Sequence, residues 1–273
     1  MQKKRIVLGL EYDGAGFQGW QTQPSGNTVQ DVLTNALGRF SERAIAVYCA
    51  GRTDAGVHAV EQVVHFDTEL ERAAYSWVSG VNTFLPASIV VRWAKQVALV
   101  DETDQQGFHA RFSAHSRTYH YLLHNHAVRS PLWAGRAGWF FHRLDLQRMQ
   151  VAAALMLGER DFTVFRAAAC QAKSPVKHMY EIKIRQQGDL FVFSLRANAF
   201  LHHMVRNIVG SLIYVGMGKR EPEWVGELMH KKDRSLAAPT FMPDGLYLAK
   251  IGYDRKWDLP ENQGENLPYA LNF

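Results

Sequence analysis

Hydrophobic periodicity along this chain switches between a two-residue and a 3.6-residue repeat in the order strand, helix, strand, strand, helix, strand, and it does so twice. That order predicts two split βαβ units, each an antiparallel sheet with helices on one face. In the first half Ile6, Leu8, Leu10 and Tyr12 alternate as a strand, and a glycine-rich loop follows over 13–27. Thr28 with Asp31 three residues on is a capping signature, and Val29, Val32, Leu33, Ala36, Leu37 and Phe40 form one apolar helical stripe. Strands are expected over 45–50, 62–67 and 89–97, with a helix over 71–81. In the second half strands are expected over 117–125, 179–185, 190–196 and 246–253, and helices over 145–157 and 201–217. Gly188-Asp189 marks a hairpin between the middle strands. The fold class is therefore α+β, with two ferredoxin-like halves. They are placed at 1–100 and 116–255, joined by a connection at 101–115 and followed by an extension at 256–273. The two halves share the pattern and not the residues, and such a sheet serves many functions, so function has to come from a site.

Composition narrows the classes. No run approaches the ~18 apolar residues of a membrane span, and Met1-Gln2-Lys3-Lys4-Arg5 leads into a charged-ended strand, not a signal peptide. No membrane association and a cytoplasmic location are expected. Two cysteines, Cys49 and Cys170, show no CxxC spacing, which argues against a disulfide framework or structural zinc. A net charge of +5 and a pI near 9.2 suit a polyanionic partner. Basic residues sit beside aromatic ones at His109–Phe112, Arg117–Tyr121 and Trp139–Arg143, a mixture suited to phosphate contact and base stacking. The same rings at alternating strand positions also read as core.

One loop carries reactive chemistry. In Cys49-Ala50-Gly51-Arg52-Thr53-Asp54-Ala55-Gly56-Val57-His58 a single carboxylate, Asp54, lies among small residues with Arg52 and His58 as positive neighbours. A solvated turn, with Asp54 bonding only local backbone, fits the same spacing. Further on, Arg206 falls near the N-terminal end of the 201–217 helix, where the helix dipole disfavours a cation. Gly210, one turn later on that face, suggests open space for an anionic group, although a surface Arg with a packed stem is the plain alternative. His202 and His203 are adjacent and point apart on a helix, so no metal site is expected there.

Taken together, Gly51–His58, Phe108–Ala114 (FHARFSA), Arg117–Tyr121 and Asn198–Gly210 (NAFLHHMVRNIVG) closely resemble the tRNA pseudouridine synthase A family. Glu11–Gly14, Gly19–Gln21, Val63–Phe66, Gly80–Asn82 and Gly245–Leu248 extend the likeness over nearly the whole chain. The resemblance implies a cofactor-free, metal-free isomerase that converts uridine to pseudouridine at positions 38, 39 and 40 of the tRNA anticodon arm and works as a homodimer. It places the family's invariant carboxylate on Asp54 and its partner Arg on Arg206. The base-stacking Tyr falls on Tyr119, and the Arg implicated in nucleotide flipping on Arg52. Val164 and Lys177 depart from residues common among relatives, and neither is one of these positions.

The chemistry suits these residue types. Isomerisation breaks N1–C1′, turns the base and joins C5 to C1′, so one carboxylate acting at C6, at C1′ or on a sugar proton suffices. Extruding the uridine costs a few kcal/mol, and an aromatic–base stack returns roughly 1–3 kcal/mol. Leu246 is a candidate wall of the pocket, with core packing as its plain alternative. The expected reaction centre is a cleft between the halves. Two rival readings are a non-catalytic RNA-binding protein and a hydrolase pairing Asp54 with His58 or His202.

Overall fold

The computed structural model describes residues 3–100 and 107–260. Residues 101–106 of the connection expected at 101–115, and residues 261–273 of the extension expected at 256–273, lie outside the described residues. In chain order the elements are β1 (Lys4–Tyr12), α1 (Val29–Ser41), β2 (Tyr48–Cys49), β3 (His58–Thr68), α2 (Ala74–Asn82), β4 (Ile89–Val97) and β5 (Ala114–Asn125). Then come β6 (Gly138–Phe140), α3 (Leu146–Ala154), β7 (Gly158–Asp161), β8 (Val176–Gln187) and β9 (Leu190–Ala197). The last are α4 (Met204–Gly216), α5 (Trp224–Lys231) and β10 (Leu246–Tyr253). The chain forms two compact units. The first holds the residues up to His115 and takes up the chain again at Leu248, and the second is Ser116–Tyr247. The last strand, expected to close the second half, is therefore divided: Leu246 and Tyr247 belong to the second unit and the rest to the first.

In the first unit the order is β4-β1-β3 with β2 on the far edge of β3, all antiparallel, which is the split βαβ arrangement. β1 is central, and its residues Ile6 to Leu10 are almost fully buried. Thr28 caps α1 as the sequence predicts: its hydroxyl accepts from the Asp31 N–H at 3.2 Å and donates to the Asp31 carboxylate at 2.5 Å. α1 and α2 meet through Phe40 against Trp77, ring centroids 5.2 Å apart, and Trp77 also packs on Phe66 of β3 at 5.1 Å. The strand expected over 45–50 is reduced to two residues, because only Tyr48 and Cys49 pair with His65 and Val64.

Buried charge-capable groups brace this unit. Arg5 pairs with Asp67 at 2.7 Å and donates to the Phe108 carbonyl at 2.6 Å, and the pairing holds the Asp67 carboxyl below its usual range. His65 Nδ1 accepts from the Ala110 N–H at 3.1 Å. Burial, reinforced by Arg5 and His109, lowers its pKa to about 3. A histidine depressed in the folded state and near 6.5 unfolded favours the native state above pH 6.5, and that contribution is lost as pH falls toward 3. Thermal melting of wild type is expected to fall on acidification from pH 7 to 5, with His65→Gln showing a shallower fall. Equal slopes would contradict this reading.

In the second unit the order is β5-β9-β8-β7, antiparallel throughout, and β6 lies parallel to the end of β5. The hairpin at Gly188 joins β8 and β9 as expected, with Gly188 at φ +57°. At the start of β10 the Leu122 N–H donates to the Gly245 carbonyl at 2.8 Å. α3 and α4 lie together: the Asp145 N–H donates to the Gly216 carbonyl at 2.9 Å, and a Cβ on Gly216 would meet Met149 Sδ at 2.8 Å. Three elements were not expected. β7 reads Gly-Glu-Arg-Asp and has no apolar alternation, being an edge strand defined by its partner β8. β6 spans only three residues, and α5 carries its core face on Val225, Leu228 and Met229. Among the described residues no helix is long and apolar enough to cross a membrane.

Candidate active site

In the first unit Asp54 sits on a loop whose backbone is tied on both sides. Before it, Gln62 of β3 bridges Gly51, its amide donating to the Gly51 carbonyl at 2.5 Å and its carbonyl accepting from the Gly51 N–H at 3.3 Å. The Trp20 N–H donates to the Thr53 carbonyl at 3.0 Å, and the buried Thr53 hydroxyl meets the Tyr12 hydroxyl at 2.8 Å. After it, the Val57 N–H donates to the Asp54 carbonyl at 3.1 Å, closing a turn in which Gly56 adopts φ +78°. Gly14 packs against this turn so closely that a Cβ would lie 2.0 Å from the Val57 carbonyl oxygen. Long-range bonds thus fix the backbone of this loop. Asp54 itself is half-buried and Arg52 beside it is exposed.

Two other ionisable groups on this loop, Cys49 and His58, are held by their surroundings. Burial raises the Cys49 thiol to about 11, against the opposing charges of Arg52 and Arg111, so it stays protonated near neutrality. His58 is 3% exposed and its Nδ1 lies 3.1 Å from both the Gly14 N–H and an Asp13 carboxylate oxygen. Those contacts need opposite states of Nδ1, and the backbone N–H, a donor only, sets it as an acceptor. His58 therefore anchors the Gly14 turn through this ring nitrogen. The FHARFSA segment divides: Phe108 is fully buried, whereas Phe112 is 74% exposed with the Arg111 guanidinium 5.6 Å from its ring centroid.

In the second unit Tyr119 lies on β5, buried, with its ring edge-to-face on Phe200 at 5.0 Å. Phe200 belongs to the turn leading into α4. That turn is built on Asn198, whose side-chain oxygen accepts from the His178 and Ala199 N–H groups at 3.0 and 2.8 Å. His203 stands at the helix N-terminus with φ +62° and no side-chain cap, so the helix begins at Met204, later than expected. Arg206 falls in the first turn. Its Nε donates to the Phe241 carbonyl at 2.8 Å, and the Phe241 N–H donates back to the Arg206 carbonyl at 3.3 Å. This reciprocal pair holds the half-buried guanidinium against the helix dipole.

The expected open space at Gly210 is not there. A Cβ on Gly210 would lie 2.5 Å from the Pro239 carbonyl oxygen, because residues 238–241 cross this face of α4. What fixes that crossing was missed in the sequence: Asn207, fully buried, accepts from Arg234 at 3.0 Å and from the Thr240 hydroxyl at 2.7 Å, and donates to the Phe165 carbonyl at 2.8 Å. The available signal was an amide inside a largely apolar helix. Leu246 is 5% exposed at the start of β10, its N–H bonded to the Pro243 carbonyl. Asp54 and Arg52 thus share a loop of the first unit, and Tyr119, Arg206 and Leu246 are set by packed elements of the second.

The description "tRNA pseudouridine synthase" belongs to the family whose model matches residues 10–120 and 152–254. Similar curated proteins include a tRNA pseudouridine synthase A of Janthinobacterium sp. (strain Marseille), 63% identical over 98% of this chain and 99% of that one. Another, from Herminiimonas arsenicoxydans, is 63% identical over 98% of this chain and 96% of its own. A third, from Paraburkholderia xenovorans, is 56% identical over the same shares.

Proposed function

The chain belongs to the tRNA pseudouridine synthase family, and from that premise we propose that it isomerises uridines 38, 39 and 40 of the tRNA anticodon arm with Asp54 as the reacting carboxylate. The chain is an isomerase acting on tRNA: the glycosidic N1–C1′ bond breaks, the uracil turns while bound, C5 bonds to C1′ and loses its proton to solvent, and N1 takes up a proton in exchange. The observation that carries the assignment is the fixed backbone around Asp54, which sets one half-buried carboxylate beside an exposed Arg and a silenced thiol. A carboxylate held this way needs no reorganisation as the reaction proceeds.

The remaining residues take the roles their settings support. Tyr119, steadied by Phe200, stacks on the extruded uracil and offsets the few kcal/mol of unstacking with roughly 1–3 kcal/mol. Arg206 supplies a fixed positive charge in planar form. Arg52 takes the displaced phosphate or the vacated space, and Leu246 offers an apolar wall. The enzyme acts in the cytoplasm as a homodimer. Sedimentation of the full chain at micromolar concentration checks the dimer, which a monomer mass would exclude.

Tritium release from tRNA labelled at uridine C5 reports the reaction. Transcripts with cytidine at 38, 39 and 40 are expected to release none, and undiminished release from them would overturn the anticodon-arm assignment. If phosphate contacts by this +5 chain dominate affinity, tRNA binding falls steeply with salt, by roughly 10³-fold or more between 50 and 200 mM for six or more phosphates. A flat response would contradict the electrostatic reading.

A further inference from the structure

A cavity of about 220 Å³ lies within the second unit, and none of Tyr119, Arg206 and Leu246 lines it. His124 of β5 forms part of its wall. That residue is 6% exposed, and among the described residues its Nδ1 has no hydrogen-bond partner. A buried polar atom without a partner is costly to the fold, and His124 meets the cavity with the rest of its ring. Burial lowers the His124 pKa, with Asp189 opposing and His126 assisting, so the neutral ring offers one donor and one acceptor.

The rest of the wall combines aromatic faces with a polar rim. Trp139 is immobilised, its indole N–H donating to the His126 carbonyl at 2.9 Å and its backbone N–H to Met242 Sδ at 3.3 Å. Trp133 closes a short turn in which its N–H meets the Ser130 carbonyl at 3.3 Å and its carbonyl accepts from Arg136 and Ala137 at 3.0 Å. The Tyr247 hydroxyl pins that turn by donating to the Arg136 carbonyl at 2.7 Å. The walls are therefore set before any ligand arrives. Arg129, Ser130 and Asp244 add a cation, a hydroxyl and a carboxylate.

Pockets for drug-sized ligands run to roughly 300–1,000 Å³, so this volume suits a single ring system. Aromatic faces together with donors and acceptors for a base edge are how proteins hold an unstacked nucleobase. We propose that this cavity receives an unpaired nucleobase of the tRNA other than the uridine being isomerised, its ring against Trp133 and Trp139 and its edge on His124 and Asp244. Arg129 then meets the adjoining phosphate. The proposal rests on the reading of this chain as a tRNA-modifying enzyme.

The test uses the full chain and unmodified tRNA transcripts, each abasic at one unpaired nucleotide. Trp133→Ala, at a half-exposed position and with its melting temperature compared with wild type, is expected to weaken intact tRNA binding about tenfold, and Trp133→Phe to restore it. One abasic transcript is expected to cost wild type a similar factor and Trp133→Ala almost nothing, because both changes remove the same stack. The single-turnover isomerisation rate at saturating tRNA stays near wild type. Wild-type affinity in Trp133→Ala, or an equal loss with every abasic transcript, overturns the pocket. Absence of isomerisation by wild type, by contrast, overturns the proposed function.

Discussion

Replacing Asp54 with Asn is expected to lower tritium release from C5-labelled tRNA by about 10⁴-fold or more, with tRNA affinity held within about threefold. The amide matches the carboxylate in shape, and the bonds that fix the loop run through backbone atoms and Gln62, Thr53 and Gly14, so the geometry survives. What is lost is the ability to act as nucleophile or base, whichever of C6, C1′ or the sugar proton the carboxylate addresses. On its own loop the Cys49 thiol is held protonated by burial, and His58 Nδ1 is bonded to the Gly14 backbone. Retained turnover in Asp54→Asn would remove Asp54 from the chemistry and leave it a loop residue.

Arg206→Lys is expected to cost about 10²-fold in turnover with the charge unchanged. The guanidinium is aimed by its Nε bond to the Phe241 carbonyl, and Phe241 returns a bond to the Arg206 backbone. A lysine has no equivalent of Nε, so it cannot keep that anchor and present a planar pair of donors at once. The kcat is expected to fall and tRNA affinity to stay near wild type, because the loss lies in charge placed for the reacting group. Near wild-type kcat would mean that positive charge alone matters at this position.

The first half of the fold was legible because its signals are local. The strand at β1, the Thr28–Asp31 cap and the stripe of α1 are all set by neighbours in sequence, and each recurs in the structure, although β1 is buried continuously from Ile6 to Leu10 because it lies between β3 and β4. Edge elements were not legible: β7 and β6 exist through pairing with β8 and β5, which nothing in Gly-Glu-Arg-Asp or Gly-Trp-Phe announces. The same limit explains Gly210. Its apparent open face is covered by residues 238–241, held there by Arg234 and Thr240 on Asn207, partners some thirty positions downstream. The loop at Asp54 was readable as special through Gly51, Gly56 and the lone carboxylate, whereas its clamps, Gln62, Trp20 and Gly14, come from separate elements.

Whether Asp54 performs the proposed isomerisation of anticodon-arm uridines without an added cofactor is decided by one measurement. Carbodiimide modification followed by primer extension on unmodified tRNA transcripts, incubated with wild type or Asp54→Asn and no added metal or nucleotide, tests it directly. The account predicts new stops at positions 38, 39 and 40 with wild type and none with the variant. The same stops with both proteins, or wild-type stops confined to another arm of the tRNA, would contradict it.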